Sequence, residues 1–459
     1  MKQIDFSNGR ISKNILASAL PLLVAQLLSL LYSIVDRIYI GWIPGEGAAS
    51  LAGLGICFPI IILVAAFTNL YGTGGAPLCS IAQGEGDSKK AECVMNTAFR
   101  LLIVTGIILT IGGILFAEPI LRLFGAADDM LVYALPYLRI YLLGTIFTML
   151  ASGLNPYINA QGFPGVGMIT IAIGAVANLI LDPVFIFLFH MGIRGAAVAT
   201  VISQGLSCAF VLAFLIRKKS QAALKLKISG VKSLLVPDMQ MGRQIMGLGT
   251  ASFVMQCTNS LVSIFCNHTL LQYGGEIYVA VMTVISSIRQ ILDVPMLAIT
   301  DGASPVISYN YGAKRPGHIR QGIWIMTGIC FVYSLVMWIF LRVFPEFFIR
   351  IFINDNSLMD ASVHALNLYF LTFIFQTFQY CAQTTFKALN KKNKAIFFSI
   401  FRKVILVVPL TLLLPMLMNL GTDGVFLAEP VSNVIGGGLS FLTMLLTVFP
   451  ELKRMEKQK

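Results

Sequence analysis

Long apolar stretches alternate with short polar, Gly- or Pro-containing breaks along the whole chain. A helix of about 20 apolar residues crosses the ~30 Å hydrocarbon core of a bilayer. This criterion predicts twelve spans, at 14–40, 52–78, 96–117, 131–152, 168–190, 195–216, 243–270, 278–305, 320–344, 362–386, 396–418 and 424–448. The pattern therefore predicts an all-α integral membrane protein with twelve transmembrane helices.

The composition supports this class and excludes others. Of 459 residues, 57% are hydrophobic and 12% are charged, whereas a soluble domain has about 25% charged residues. The eight cysteines form no C-x-x-C pair and lie mostly in apolar runs, which is typical of small buried hydrophobes and not of disulfides or zinc ligands. The sequence has no GxxxxGK[ST] phosphate-binding loop, so we do not expect it to hydrolyse ATP.

The basic residues predict the orientation in the membrane. The net charge is +12, which in a soluble protein would suggest nucleic acid as a partner. With the N-terminus inside, however, 26 of the 33 Lys and Arg residues fall in the N-tail, 82–100, 217–245, 311–322, 386–403 and the C-tail. This bias predicts that both termini are cytoplasmic and explains the charge without nucleic acid.

The two halves of the chain repeat one another. PLCSIAQGEGDSKKAE from Pro77 matches PVISYNYGAKRPGHIR from Pro305, and MGIRGAAVAT from Met191 matches LGTDGVFLAE from Leu420, at offsets of 228 and 229 residues. Six spans per repeat give both halves the same orientation, with a pseudo-twofold axis along the membrane normal. We predict a six-helix bundle over 1–216, a basic cytoplasmic linker over 217–242, and a second six-helix bundle with a short basic tail over 243–459. The linker is either an interfacial amphipathic segment on anionic lipid or a solvated tether.

Acidic residues inside the spans are the candidates for function. Asp36 lies in the first span, where an ionised carboxylate costs at least ~2.5–3.5 kcal/mol. Asp182 lies in the fifth span, one helical turn after Asn178, so the two side chains should share a face. Pro183 should free the carbonyl group of Leu179, and Thr200 supplies a hydroxyl group at comparable depth in the sixth span.

These oxygen ligands suit a small hard cation. Two neighbouring carboxylates also suit proton binding, because they disfavour being ionised together in a low-dielectric medium. The residues alone leave Na⁺ and H⁺ open. They also leave a structural alternative, in which Asp182 and Pro183 shape the outer end of a helix and Asp36 faces a water-filled cavity.

The second half lacks the Asn/Asp pair. At an offset of 229 residues, Asn178, Asp182 and Thr200 correspond to Val407, Thr411 and Glu429. Asp293, with Arg289 one turn away as its possible ion-pair partner, is a candidate cavity residue. Asp301 near the cytoplasmic end of the eighth span is a helix-end residue, a pore-lining residue or a residue that takes part in coupling.

A cavity for apolar ligands needs aromatic and Met side chains with a few polar groups. The predicted cavity residues are Gln26, Tyr32, Phe67, Asn69, Phe253, Met255, Gln256, Asn259 and Asp293. Membrane helices also place Met and Phe against lipid or in their cores, so composition alone does not separate these roles.

The quoted motifs also resemble a known family. LYSIVDRIYIGWIPGEGAASLAGLGICFPI, GGAPLCSIAQGEGD, NLILDPVFIF and SPVISYNYGAKRP are similar to segments of the multidrug and toxic compound extrusion (MATE) transporters, in their bacterial DinF/MepA-like branch. The resemblance implies two six-helix bundles that export cationic or amphipathic drugs against inward Na⁺ or H⁺ flow. It places the cation site of the first bundle on Asp36, Asn178, Asp182 and Thr200. Relatives with acids on the seventh and tenth spans differ from this chain, which has none there within the hydrocarbon.

The sequence thus predicts a secondary multidrug antiporter and not an enzyme. We expect it in the bacterial inner membrane as a monomer that contacts lipids, binds small drug-like molecules and uses no cofactor besides its coupling ion. Alternatives are a flippase for lipids or lipid-linked oligosaccharides, which would need a more cationic cavity, a channel, or a membrane-embedded enzyme. The sequence shows no His/Asp cluster or metal motif for an enzyme of that kind.

Overall fold

The computed structural model describes residues 3–217, 224–227, 237–352, 359–417 and 420–457. The regular secondary structure in these ranges is helical, which confirms the predicted all-α class. The α-helices are α1 (Ile11–Gly41), α2 (Gly47–Gly84), α3 (Ser88–Leu115), α4 (Ala117–Leu123), α5 (Asp128–Leu143), α6 (Thr145–Ala160), α7 (Pro164–Pro183), α8 (Gly192–Ile216), α9 (Met239–Gly312), α10 (Pro316–Val343), α11 (Pro345–Arg350), α12 (Met359–Tyr369), α13 (Phe373–Ala388), α14 (Lys392–Ile400), α15 (Val408–Leu413), α16 (Thr422–Ser432) and α17 (Gly438–Lys457). Three π-helical segments, Val184–Leu188, Phe401–Val407 and Asn433–Gly437, continue α7, α14 and α16.

The helices account for the twelve predicted spans. Nine of the described helices are long and apolar enough to cross a membrane by themselves. One of them, α9, is interrupted at Gly275, whose φ of 70° is left-handed and suits glycine, so it supplies two spans. The pair α5 and α6, bent by 55°, supplies another, and α12 with α13 covers the position of the predicted span at 362–386. Large apolar side chains on α1, such as Leu20 and Leu31, are more than half exposed, as expected of a surface that faces lipid.

The chain divides into two compact units. Unit 1 comprises Met1–Asp5 and Leu20–Phe253, and unit 2 comprises Phe6–Ala19 and Val254–Lys459. The predicted linker over 217–242 therefore falls within unit 1, and its residues 218–223 and 228–236 lie outside the described part of the chain.

The described piece of the linker is held by unit 1. Leu224 and Leu226 are buried in the same hydrophobic cluster as α3 and α6. The backbone amide of Leu224 donates to Gln161 Oε1 at 2.9 Å, and that of Lys227 donates to Asn96 Oδ1 at 2.7 Å. Residues 224–227 are thus packed against protein, which is neither of the two expectations for the linker, because their leucines bury apolar area while side chains satisfy their amides.

Small residues allow α2 and the first part of α9 to pack closely within unit 1. A Cβ atom on Gly249 would lie 1.8 Å from the carbonyl oxygen of Leu70, and a Cβ atom on Gly74 would lie 2.5 Å from that of Ile245. Real side chains do not approach backbone so closely. The contact therefore requires glycine at both positions, as is common where membrane helices meet.

We predict that Gly249→Ala destabilises the protein by about 1–3 kcal/mol, because the added methyl group meets backbone that cannot rotate away. The matched control is Gly242→Ala on the same helix, where a Cβ atom would make only ordinary contact, 3.6 Å from Leu101. Thermal unfolding in detergent measures both. Equal unfolding midpoints for the two variants would contradict the close packing of α2 and α9.

Candidate cation site

Helix α7 brings two polar side chains to one face, as their spacing predicts. The Nδ2 group of Asn178 donates to Oδ1 of Asp182 at 3.0 Å and approaches Oγ1 of Thr200 on α8 at 3.5 Å. Asn178 and Asp182 are almost completely buried. Three of the four residues of the predicted cation site are therefore joined by hydrogen bonds inside unit 1.

The fourth residue, Asp36 on α1, lies beside Asp182. Their carboxylates are within hydrogen-bonding reach of one another. Two carboxylate oxygens attract each other at this range only when a proton or a cation lies between them. The structure thus places the acids of the first and fifth spans together, which sequence reasoning inferred from their cost.

Three oxygen atoms at this point are enclosed and find no hydrogen-bond donor in the described part of the chain. They are Oδ1 of Asp36, Oδ1 of Asn178 and Oδ2 of Asp182. Buried polar atoms nearly always have a partner, because leaving one unsatisfied costs about 1–3 kcal/mol. Two carboxylates, an amide oxygen and the nearby hydroxyl of Thr200 form a set of oxygen ligands suited to a hard cation or, between the carboxylates, a proton.

Helix α7 ends at Pro183, and the chain continues as the π-helix Val184–Leu188. Proline removes one helical amide donor, and π-helical turns often occur at functional sites. The irregular backbone thus begins directly after Asp182. The expected freeing of the Leu179 carbonyl stays a prediction.

Aromatic residues complete the surroundings of the acids. Tyr32, one turn before Asp36, interacts electrostatically with both carboxylates. Tyr137 on α5, which is 3% exposed, interacts with Asp36. Sequence reasoning named Tyr32 only as a cavity residue and missed Tyr137, because one tyrosine in an apolar span carries no distinguishing signal. Arg37 stacks its guanidinium group over Phe58 at 4.7 Å.

The predicted cavity residues of unit 1 are partly buried. Phe67 and Phe253 make an edge-to-face contact with ring centroids 5.1 Å apart. Gln26, Tyr32 and Asn69 are also partly buried, on α1 and α2. In unit 2, Met255 and Gln256 are partly buried and Asn259 is exposed. The role of these residues in a substrate cavity stays a prediction.

Asp293 in unit 2 has three partners. Its carboxylate accepts hydrogen bonds from Gln376 at 2.8 Å and Tyr380 at 3.2 Å, and it pairs with Arg289 at 3.5 Å. The suggested ion pair with Arg289 is therefore confirmed. Asp301 is exposed on α9 and interacts electrostatically with Lys387.

Unit 2 contains a second buried cluster, centred on the carboxylate of Glu429. Its Oε1 atom accepts a hydrogen bond from Arg402 and forms an ion pair with Arg289 at 2.9 Å, and the Nζ atom of Lys403 lies 3.3 and 3.5 Å from its two oxygens. Arg402 also donates to Oδ1 of Asn433 at 2.7 Å. Arg402, Lys403 and Glu429 are each no more than 5% exposed.

This cluster adds to one sequence inference. Arg402 and Lys403, which are counted with the basic segment 386–403 and also fall in the predicted span 396–418, are buried in the π-helix between α14 and α15. Their partner Glu429 lies 27 and 26 residues further along the chain. Hydropathy and local spacing therefore give no signal that these charges are compensated.

Comparisons with known proteins agree with this architecture. The MatE family model matches residues 21–184 and 251–413, one segment in each repeat. The chain is 24% identical over 363 residues to the multidrug export protein MepA of Staphylococcus haemolyticus (strain JCSC1435), covering 79% of this chain and 78% of that protein. MepA of Staphylococcus aureus (strain MSSA476) is 22% identical over 365 residues, with the same coverage.

Solved structures show the same fold. An outward-facing multidrug resistance MATE family transporter matches with a TM-score of 0.90 at 21% identity, over 100% of this chain and 99% of that one. A MOP superfamily transporter from Pyrococcus furiosus matches with a TM-score of 0.90 at 22% identity, over 99% of both chains. These matches confirm the predicted fold class of twelve transmembrane helices in two bundles. Since the family model covers well over half of the sequence, this chain belongs to the MatE family of membrane transporters.

Proposed function

We propose that this protein exports drugs and other toxic compounds from the bacterial cell by antiport, with Na⁺ or H⁺ entering at the Asp36–Asp182 pair. The observation that carries the proposal is the contact between the two carboxylates, together with the enclosed oxygens around it. The family of the chain and the multidrug export activity for which its relatives are named support the same conclusion.

An ion bound between Asp36 and Asp182 would change the position that helix α1 prefers. When neither a proton nor a cation is bound, the carboxylates of Asp36 on α1 and Asp182 on α7 repel each other. Binding of a cation or proton removes this repulsion and favours the arrangement in which α1 lies against α7. The ion thus has a differential interaction with two positions of α1, which is what a conformational change driven by a ligand requires.

The same helix carries two predicted substrate contacts, Gln26 and Tyr32. A shift of α1 would therefore change substrate affinity as the ion binds, and reciprocity requires substrate to change ion affinity by the same factor. Coupling of this kind supports alternating access. Because the ionised pair is acidic, small cationic or amphipathic molecules are the favoured substrates.

We place the protein in the bacterial inner membrane as a monomer in contact with lipid, with both termini cytoplasmic, as the basic residues predict. A flippase for lipid-linked oligosaccharides would need cationic side chains free to bind phosphate. The basic residues Arg402 and Lys403 are enclosed and engaged by Glu429, which favours drug export over that alternative.

We predict that Asp36→Asn lowers gradient-driven efflux of a fluorescent organic cation from proteoliposomes by about tenfold or more, since typical coupling free energies correspond to 5–150-fold effects. The amide cannot bind a proton and is a weaker cation ligand. Imposing a Na⁺ gradient and a pH gradient separately identifies the coupling ion. The matched control is Glu46→Gln, an exposed acid that follows α1, which should transport like the parent protein. Undiminished efflux by Asp36→Asn would contradict the role of the pair.

We also predict that Asp36→Asn raises the thermal unfolding midpoint of substrate-free protein at about pH 9 without Na⁺, where both carboxylates are most prone to repel each other. Each kcal/mol gained shifts the midpoint by about 2–4 °C for a unit of this size. Adding the coupling ion should stabilise the parent protein, by about 2.7 kcal/mol at a hundredfold excess over its Kd, and leave Asp36→Asn unchanged. A lower midpoint for Asp36→Asn than for Glu46→Gln would show that the carboxylates do not repel.

A further inference from the structure

The buried charges of unit 2 do not balance. The cluster contains three cations, Arg289, Arg402 and Lys403, and two carboxylates, Glu429 and Asp293. Asp293 is paired with Arg289, so the Glu429 carboxylate is shared among all three cations. A buried charge without a counter-charge is expensive. One positive charge in this cluster is therefore in excess.

Lys403 is the most loosely held of the three cations. Arg289 lies 2.9 Å from Glu429 and Arg402 lies closer still, whereas the Nζ atom of Lys403 is 3.3 and 3.5 Å from the two carboxylate oxygens. Hydrogen bonds between an ammonium and a carboxylate are normally about 2.7–2.9 Å long. The two guanidinium groups occupy the better positions around Glu429.

The excess charge can be removed only in limited ways. Arginine cannot lose its proton in a protein, whereas lysine can. An anion would need space, but Nε of Arg402, which finds no acceptor among the described residues, is fully enclosed. A proton needs no such space. Loss of one proton from Lys403 would leave two cations and two carboxylates.

The other titratable groups near Lys403 do not change this balance. Tyr369 on α12 accepts a hydrogen bond from Arg289 at 2.6 Å, and Tyr380 on α13 donates to Asp293. Cys266 on α9 interacts electrostatically with Lys403 and lies 3.8 Å from Thr411. These phenol and thiol groups are neutral in the charge count, as is Asn433 beside Arg402.

We propose that Lys403 is a proton-exchange site of unit 2, distinct from the acidic pair of unit 1. The Nζ–H bond breaks, the electron pair stays on nitrogen and the proton passes to water. Arg289 and Asp293, whose side chains keep 17% and 14% exposure, mark the open side of the cluster. Protonation restores the excess positive charge beside Arg289 and Arg402, so pH acts on the contacts between α9, α16 and the π-helix that bears Lys403.

The test is solid-state ¹⁵N NMR of protein labelled on its lysine side chains, in lipid bilayers and without substrate, from about pH 6 to about pH 9. An ordinary lysine titrates near 10.4 and stays an ammonium throughout. We expect one lysine signal to change reversibly from the ammonium to the amine position, and to be missing from Lys403→Arg, which keeps a positive charge at all pH values. Lys387→Arg, at another lysine of unit 2, should retain it.

Two outcomes would overturn the proposal. One is that every lysine signal of the parent protein stays in the ammonium form, a result that needs no variant. The other is that the changing signal persists in Lys403→Arg or disappears in Lys387→Arg, because it would then belong to another lysine. Neither result depends on transport, so this site and the proposed antiport at Asp36 and Asp182 can fail independently.

Discussion

The structure of unit 1 depends on how two carboxylates are accommodated inside a membrane. Asp36 and Asp182 lie side by side in a medium where even one ionised acid costs ~2.5–3.5 kcal/mol or more. They come from α1 and α7, and Asn178, which also approaches Thr200, donates a hydrogen bond to Asp182. The oxygens that remain without donors are those that a cation or proton would satisfy. Burying the two carboxylates together costs free energy, and binding of a cation or proton would lower that cost.

The two repeats treat buried charge in different ways. Thr200 in unit 1 corresponds to Glu429 in unit 2. At Thr200 the neighbouring acids are left to share an external cation or proton. At Glu429 the protein supplies its own cations, three of them around one carboxylate. Both places adjoin π-helical segments, where wider turns change the direction of side chains. The two halves thus share a fold but differ in the charged residues at these corresponding positions.

Helical spacing and the free-energy cost of an intramembrane charge predicted much of the site in unit 1. Asn178 and Asp182 are four residues apart, which places them on one face of a helix. The cost of a lone intramembrane acid made Asp36 conspicuous and suggested Asp182 as its neighbour, whereas the hydrogen-bonding reach between the two carboxylates comes from the fold. Tyr137 could not be found in this way, because its electrostatic interaction with Asp36 links α5 to α1 across about 100 residues of sequence and an isolated tyrosine follows no periodic pattern.

The second cluster shows where sequence reasoning reaches its limit. Arg402 and Lys403 follow the basic run that begins at Lys387, so the count of basic residues groups them with a cytoplasmic segment although they lie in the predicted span 396–418. Their burial is possible because Glu429, on another helix, compensates their positive charges. This pairing depends on tertiary structure, so local sequence patterns do not predict it. The break at Gly275 and the three π-helices likewise depend on packing, although the apolar pattern correctly predicted twelve spans.

The central claim, that the ion at Asp36 and Asp182 controls substrate affinity, can be tested by binding alone. Fluorescence anisotropy of an organic-cation dye bound to the purified protein in detergent would be followed as Na⁺ or acid is added, without any gradient. The account predicts that one of the two releases the dye from the parent protein and does not release it from Asp182→Asn. Dye binding to the parent protein that is indifferent to both Na⁺ and pH would contradict it.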